Sequence, residues 1–513
     1  MLNRFFGAHT HTNLHVFGLA VLAFGLPLNK VVMSVSMMFL VLNVLLEADF
    51  NKYWKHIKSN RLYQLILLFF VFHAVSMMWS FDWSYGLHDL RVKLPILVIP
   101  TILTAKPIRK DTHLTLILWV FLSAVTITSL INFSAYNQWF GSWFFNDIRG
   151  MSLFSSHVRY ALLIAMAISI LLHFFFKRKV TVFVLLPLFL WFNFYTYYSQ
   201  ILSGVIAVFG VYLACLVVWA WKYQKSITLI GLVSIGLATV AGVVWLLKPI
   251  TYNPDDYMNL PKKTAENNYY YHLPSIVSPE TGKPIDIFVQ EDELMREWER
   301  VSDIPYSGRD VKGQYIRRTI IRYMASMDLT KDAEGFKQLS RDDIEAIEKG
   351  YASMYHRGII ARIYGLKFQV NNVKNPNGHS FLQRLEYWRT GLQLAKKNWL
   401  FGVGNGDVQL AFHKQYELNN SKLEYENKDR AHNMYLTILL SLGIVGFALM
   451  MWSHFKFIHE NFINNRLLPI LFMVILLLSY LIEDTLETQT GATFFALFFG
   501  LFSTPTQTQK NIQ

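Results

Sequence analysis

Cysteine and charge are what this chain has least of. Its single cysteine, Cys215, lies inside an apolar run, which excludes a disulfide framework and a cysteine-based zinc or redox pair. Only 16% of the 513 residues are charged, against about 25% in an average soluble domain. A string of ordinary soluble domains is therefore a poor account of the length. No internal repeat, Ser/Gly-rich linker or low-complexity tract stands out. The first apolar run has no small-residue cleavage site and leads directly into a second one, so it reads as a span rather than a signal peptide.

Apolar and aromatic side chains fill the space that charge leaves. Hydrophobic residues make up 53%, with 40 Phe, 26 Tyr and 14 Trp, far too many for a disordered chain. About 30 Å of hydrocarbon is crossed by about 20 apolar residues in a helix. Twelve runs approach that pattern, near 12–28, 31–47, 62–79, 92–105, 113–133, 157–176, 180–197, 200–221, 226–247, 432–454, 467–482 and 490–504. The expected fold class is an all-α integral membrane protein of about twelve transmembrane helices, with one large, mostly helical domain inserted before the last three. The corresponding parts are an N-terminal bundle of about nine helices at 1–248, the inserted domain at 249–431, and the last helices with a tail at 432–513.

The insertion differs in composition. It holds 26 Lys+Arg and 25 Asp+Glu, and 291–300, 309–326 and 340–354 have helical periodicity with mixed charges outside. The Pro- and Asn-containing stretches 249–285 and 371–379 read as loops. Such a charge-balanced domain lacks the basic stripe that nucleic acid requires, so no nucleic-acid partner is expected.

The net charge of +13 reports topology. With the N-terminus inside, twelve spans put 48–61, 106–112, 177–179, 222–225 and 455–466 in the cytoplasm. Those loops and the termini hold 16 of the 22 basic residues outside the insertion, among them Arg4, Lys179 and Lys510. The positive-inside rule thus orients both termini to the cytoplasm and the large domain to the far side.

Charges left near the far-side surface are costly there and tend to mark function. They are Arg91, Lys93, His157, Arg159, Arg384, Arg389, Arg430, His432, Glu483 and Asp484. Clustered guanidinium and ammonium groups suit an anionic head group, whereas each taken singly could be an interfacial side chain reaching for water. Arg159 opens an apolar run and is placed to face a protein-lined cavity. His432 begins the apolar helix that follows and has an unperturbed pKa near 6.5, suited to proton transfer, although a histidine at a helix start is often a cap. The run Leu400-Phe-Gly-Val-Gly-Asn-Gly-Asp407 reads as a turn after a helix at 380–398, whose apolar stripe is Phe381, Leu385, Trp388 and Leu392. The far-side carboxylates show no Asp-x-Asp or His-x-x-x-His pattern, so neither a metal nor another cofactor is expected.

One stretch has a more specific pattern. His432-Asn433 is followed by nine residues, Met434 to Leu442, and then by Gly443-Ile-Val-Gly446. Upstream lies RLEYWRTGLQLAKKNWLFGVGNGD, 384–407. This region resembles the O-antigen ligase and polymerase family of bacterial membrane glycosyltransferases, whose ligase motif is His-Asn/Ser/Gln, nine residues, then Gly-x-x with a small residue or Tyr. The family's layout of about twelve spans and a late far-side loop is similar too. The resemblance implies transfer of a glycan from undecaprenyl diphosphate to a lipid A–core hydroxyl at the periplasmic face of the bacterial inner membrane. It implies an inverting, metal-independent reaction with His432 as general base. Arg384, Arg159 and Arg91 or Lys93 would hold the diphosphate, with Asn433, His157 and Glu483 in support. The sequence departs from the family twice. Arg384 heads Arg-x-x-x-Trp rather than Arg-x-x-x-Leu, and Ser199 is followed by Gln200 where the family has arginine, which makes Gln200 a candidate for the donor site. The competing expectations are a polysaccharide polymerase, a protein oligosaccharyltransferase, and a transporter of lipid-linked glycan. Transport is disfavoured because no halves related by a repeat are visible.

Overall fold

A computed structural model describes residues 8–139, 141, 148–178, 180–251, 253–257, 259–355 and 358–504. Both chain ends, and with them Arg4 and Lys510, lie outside the described residues, as does Lys179. Every one of the twelve apolar runs falls on a helix. Among the described residues, seven helices are long and apolar enough to cross a membrane: Lys30–Glu47, Arg61–Trp79, Asp111–Tyr136, His157–Phe176, Leu202–Trp221, Lys225–Leu247 and Met434–Ile463. Val182–Tyr198, Leu467–Tyr480 and Gln489–Phe502 are apolar and shorter. The remaining two, Ala8–Gly25 and Trp83–Ala105, carry polar groups in their first halves, the second of them Asp89, Arg91 and Lys93.

Two compact units share the chain. The first comprises 1–228 and 384–513. Its interior is aromatic. In Gln489–Phe502 every residue from Thr490 onward is buried, and Phe499 stacks on Phe457 with ring centroids 4.8 Å apart. His157–Phe176 is buried over most of its length, and Tyr160 bonds Thr128 at 2.8 Å from within it. Side-chain oxygens start several helices. Asn60 accepts from Tyr63 N at 3.0 Å and Thr488 from Gly491 N at 3.3 Å, satisfying first-turn donors that would otherwise lack partners.

The helix Met434–Ile463 is broken inside by Gly443, at φ 64° and ψ −166°. The turn after Ser380–Lys397 closes on this break. Val403 N donates to Leu440 O at 2.8 Å, Gly404 N to Ser441 O at 3.0 Å, and Ile444 N to Trp399 O at 2.8 Å. The glycine run is therefore a backbone latch. A Cβ on Gly443 would stand 2.2 Å from Leu400 O, and one on Gly402 (φ +73°) would stand 2.4 Å from the Ser441 carbonyl carbon. The latch also grips the 76–82 segment. The Asp407 carboxylate accepts from Phe81 N and Asp82 N, both at 2.9 Å, while Asn405 N and Gly406 N donate to the hydroxyls of Ser76 and Ser80, both at 3.1 Å.

The second unit is 229–383. Helices occupy parts of all three stretches predicted helical, at Glu291–Trp298, Ile316–Ser326 and Arg341–Glu348. Trp298, Ile320, Tyr323 and Ile347 form its core. The all-α expectation misses one feature. Tyr271–Val277 and Pro284–Val289 pair as an antiparallel hairpin, whose first strand and first two residues of the second lie inside the 249–285 stretch read as loop. Pro274 and Pro284 in the strands disguised the pattern, and Gly282 at φ +73° makes the turn between them. Arg318 bonded to Asp286 at 2.7 Å ties the hairpin to the helix behind it.

Gly443→Ala should lower thermal stability by on the order of 1–3 kcal/mol from backbone strain alone. Gly231→Ala, where a Cβ meets nothing within 4 Å, should be neutral or stabilising. Thermal unfolding of the two purified variants in one detergent checks the contrast.

Candidate active site

The last turn of chain before Met434–Ile463 is held from several sides. Asn433 is the helix N-cap. Its side-chain oxygen accepts from Leu436 N at 3.1 Å, and its amide donates to Leu481 O at 3.1 Å. The helix Ser380–Lys397 grips the segment before it, with Trp388 Nε1 donating to Ala431 O at 3.0 Å and Tyr387 OH to Asn427 O at 2.8 Å. The buried face of that helix is Tyr387, Thr390, Gly391, Leu394 and Ala395. This corrects the predicted stripe, since Leu385 and Leu392 are exposed. Gly391 favours this face, because a Cβ there would stand 2.7 Å from the Leu436 side chain, which would have to shift.

His432 itself sits just outside the helix at φ +46°, a region that disfavours a residue with a Cβ. Its backbone N donates to Asp484 Oδ2 at 3.1 Å. Asp484 is buried, and its other oxygen accepts from Thr437 at 2.6 Å.

Three positively charged side chains converge on the Glu483 carboxylate. Arg159 Nη2 lies 3.3 Å from Oε1, Arg384 Nη2 lies 3.8 Å from Oε2, and His432 Nδ1 lies 3.6 Å from Oε1. Asp429 approaches His432 from the other side, at 3.6 Å from Nε2. Burial works against a charged imidazole here, but the carboxylates of Asp429, Glu483 and Asp484 outweigh it and lift His432 to about 9. Burial likewise pushes Glu483 up, and His432, Arg159 and Arg384 together bring it below its ordinary value. Arg159, Arg384 and His432 thus face the carboxylates of Glu483 and Asp429, with Asp484 held on the His432 backbone. Two of the donors are also unsatisfied. Among the described residues, Arg159 Nε and His432 Nδ1 are buried without a hydrogen-bond partner. Buried donors without acceptors are costly, and an anion would supply the acceptors.

The other candidates are placed differently. Lys93 is 1% exposed and bonds Asp89 and Glu487, the latter at 2.6 Å. Arg91 is exposed, and no ion pair among the described residues joins it to the cluster. Gln200 is half-buried at φ +53°, with its backbone N on Tyr197 O at 3.2 Å. His157 starts the helix that carries Arg159. Asp429, Glu487 and Tyr387, whose ring lies 5.8 Å from that of His432, were not singled out from sequence. Three acids within five residues, Glu483, Asp484 and Glu487, were the visible sign that this short loop pairs with cations.

Residues 341–451 match the family model described as O-Antigen ligase. Through that stretch the chain is similar to the O-antigen ligase family. The matched stretch includes Arg384, the glycine latch, His432 and the Gly443 break, whereas Arg159 and Glu483 lie outside it in sequence. The match and the apolar helices together make the chain a multi-pass membrane protein with a glycan-transferring, ligase-type function. No curated protein matches the chain.

Because the folded His432 is raised above its ordinary 6.5, its charge contributes stability fully present below about 6.5 and lost as pH climbs through about 9. Glu483→Gln removes one of the carboxylates that raise it, so the proton should leave at a lower pH. Histidine-selective NMR titration of the wild type, of Glu483→Gln and of His432→Gln (to assign the resonance) reads this directly. An unchanged midpoint in Glu483→Gln would assign the shift to Asp429 and Asp484 instead.

Proposed function

We propose that the protein moves a glycan from undecaprenyl diphosphate to a hydroxyl of lipid A–core oligosaccharide, at the periplasmic face of the bacterial inner membrane. The observation that carries this reading is the meeting of Arg159, Arg384 and His432 around Glu483 with two buried donors unsatisfied. In this reading both chain ends are cytoplasmic, the chain crosses the membrane about twelve times, and 249–431 is the periplasmic domain.

The chemistry follows from the charges. The glycosyl diphosphate enters among the cations, where its oxygens compete with Glu483 for Arg159 and Arg384. His432 in its neutral form takes the proton of the acceptor hydroxyl. The oxygen attacks the anomeric carbon from the face opposite the diphosphate, and the bond from that carbon to the phosphate oxygen breaks with its electron pair on the leaving group. The configuration inverts. Arginine charge aimed at the oxygen that becomes negative is worth most in a water-poor site, so the reading requires no metal or other cofactor. His432 must first lose its proton, because a pKa of about 9 keeps the imidazole charged in the empty site at neutral pH.

His432→Ala should abolish transfer in proteoliposomes offered a defined undecaprenyl-diphosphate glycan, with lipid A–core and non-reducing glycan ends as rival acceptors. Wild-type turnover should rise with pH toward about 9, whereas a flat profile would make His432 a cation on the diphosphate rather than a base. Arg384→Ala should raise the donor KM, and Arg384→Lys should recover only part of the loss, because the fork of donors is gone. Transfer to glycan ends in preference to core would make the protein a polymerase.

A further inference from the structure

A second buried ionic group lies against the first and contains the lysine that its position suggested as a diphosphate ligand. Lys93 bonds Asp89 on its own helix, four residues earlier, and reaches Glu487 Oε1 at 2.6 Å. The other oxygen of Glu487 accepts from Arg430 Nη1 at 2.9 Å. Arg430 stands two residues before His432, and Asp484, three residues before Glu487, accepts from the His432 backbone N at 3.1 Å. The loop bearing the histidine is therefore pinned to the 483–487 loop at two points, and that loop is pinned to Trp83–Ala105 by one ammonium group.

Resting on the ligase reading, we propose that Lys93 is a positioning residue, which holds His432 in register with Glu483 through Glu487 and Arg430 and touches no substrate. Three observations carry it. The Lys93 side chain is 2% exposed, with its ammonium bonded to two carboxylates, and Glu487 is 4% exposed. An ammonium so enclosed has no free face for a diphosphate, whereas Arg159 and Arg384 are 20% and 28% exposed. The left-handed φ of His432 is a conformation that the chain abandons unless its surroundings hold it. The Arg430 bond holds the chain two residues before that strained residue, and the Asp484 bond holds its own backbone N. Finally, burying two cations with three carboxylates, Asp89, Glu487 and Asp484, is costly. Replacing the whole ionic group by apolar side chains would avoid that cost, so stability alone does not call for a buried ammonium there.

The proposal separates two roles that a simple loss of activity would confuse. With a synthetic undecaprenyl-diphosphate glycan as donor, Lys93→Met should lower kcat about ten- to a hundredfold, the scale of a misplaced catalytic group. Its donor KM should stay within about twofold of wild type. Binding of undecaprenyl diphosphate alone, measured without turnover, should be unchanged in Lys93→Met and weakened in Arg384→Ala. A raised donor KM or weakened binding in Lys93→Met would overturn the proposal and make Lys93 a diphosphate ligand. A kcat at wild-type level would overturn it too. If Lys93→Met yields no folded protein, Glu487→Gln, which keeps shape and hydrogen-bonding capacity, should give the same split, and a normal kcat there would equally refute it. His432→Ala run alongside distinguishes the failures. Activity in that variant removes the ligase reading itself, whereas a dead His432→Ala beside a normal Lys93→Met removes only this inference.

Discussion

A carboxylate shared by three cations is the constraint around which this molecule is arranged. Glu483 draws Arg159 from one helix, Arg384 from another and His432 from the mouth of a third. None of those groups could sit where it does unpaired, because a lone charge at such a site is expensive. Together with Asp429 and Asp484, the same carboxylate raises the pKa of the histidine. It also occupies ground that an anionic substrate would have to share, so binding there is an exchange of one set of charge contacts for another.

Beneath that exchange lies a scaffold made of backbone rather than side chains. The glycine turn at 400–407 donates to and accepts from a broken helix, and Asp407 and two serines tie the turn to the 76–82 segment. Irregular backbone of this kind among apolar helices is tolerated only where other protein groups satisfy it. The hydrogen bonds from Val403, Gly404 and Ile444 do so at the break.

The helices were legible because an apolar run of about 20 residues satisfies its backbone in hydrocarbon by coiling into a helix. His432 was legible because its spacing to Gly443 is a pattern in a single segment. The partners of His432 were not. Arg159 and Glu483 are 324 residues apart, and nothing local indicates which of the scattered acids will meet which arginine. Lys93 shows the limit from the other direction. Its charge near an apolar run was plain, but whether an ammonium faces a cavity or two carboxylates depends on the neighbouring helices. The hairpin at 271–289 was hidden by prolines, and the apolar stripe of Ser380–Lys397 misled because a glycine, which adds nothing to hydrophobic periodicity, favours the packing face.

The break at Gly443 also turns the His432-to-Gly443 interval into a ruler. One end is pinned by the latch and the other by the N-cap at Asn433. Each residue of helix between them sets height by about 1.5 Å and bearing by about 100°. Adding or removing a single residue anywhere from Met434 to Leu442 would swing the imidazole about a quarter-turn away from Glu483. Beyond the contacts of Leu436 and Thr437, what that interval fixes is a length and a phase.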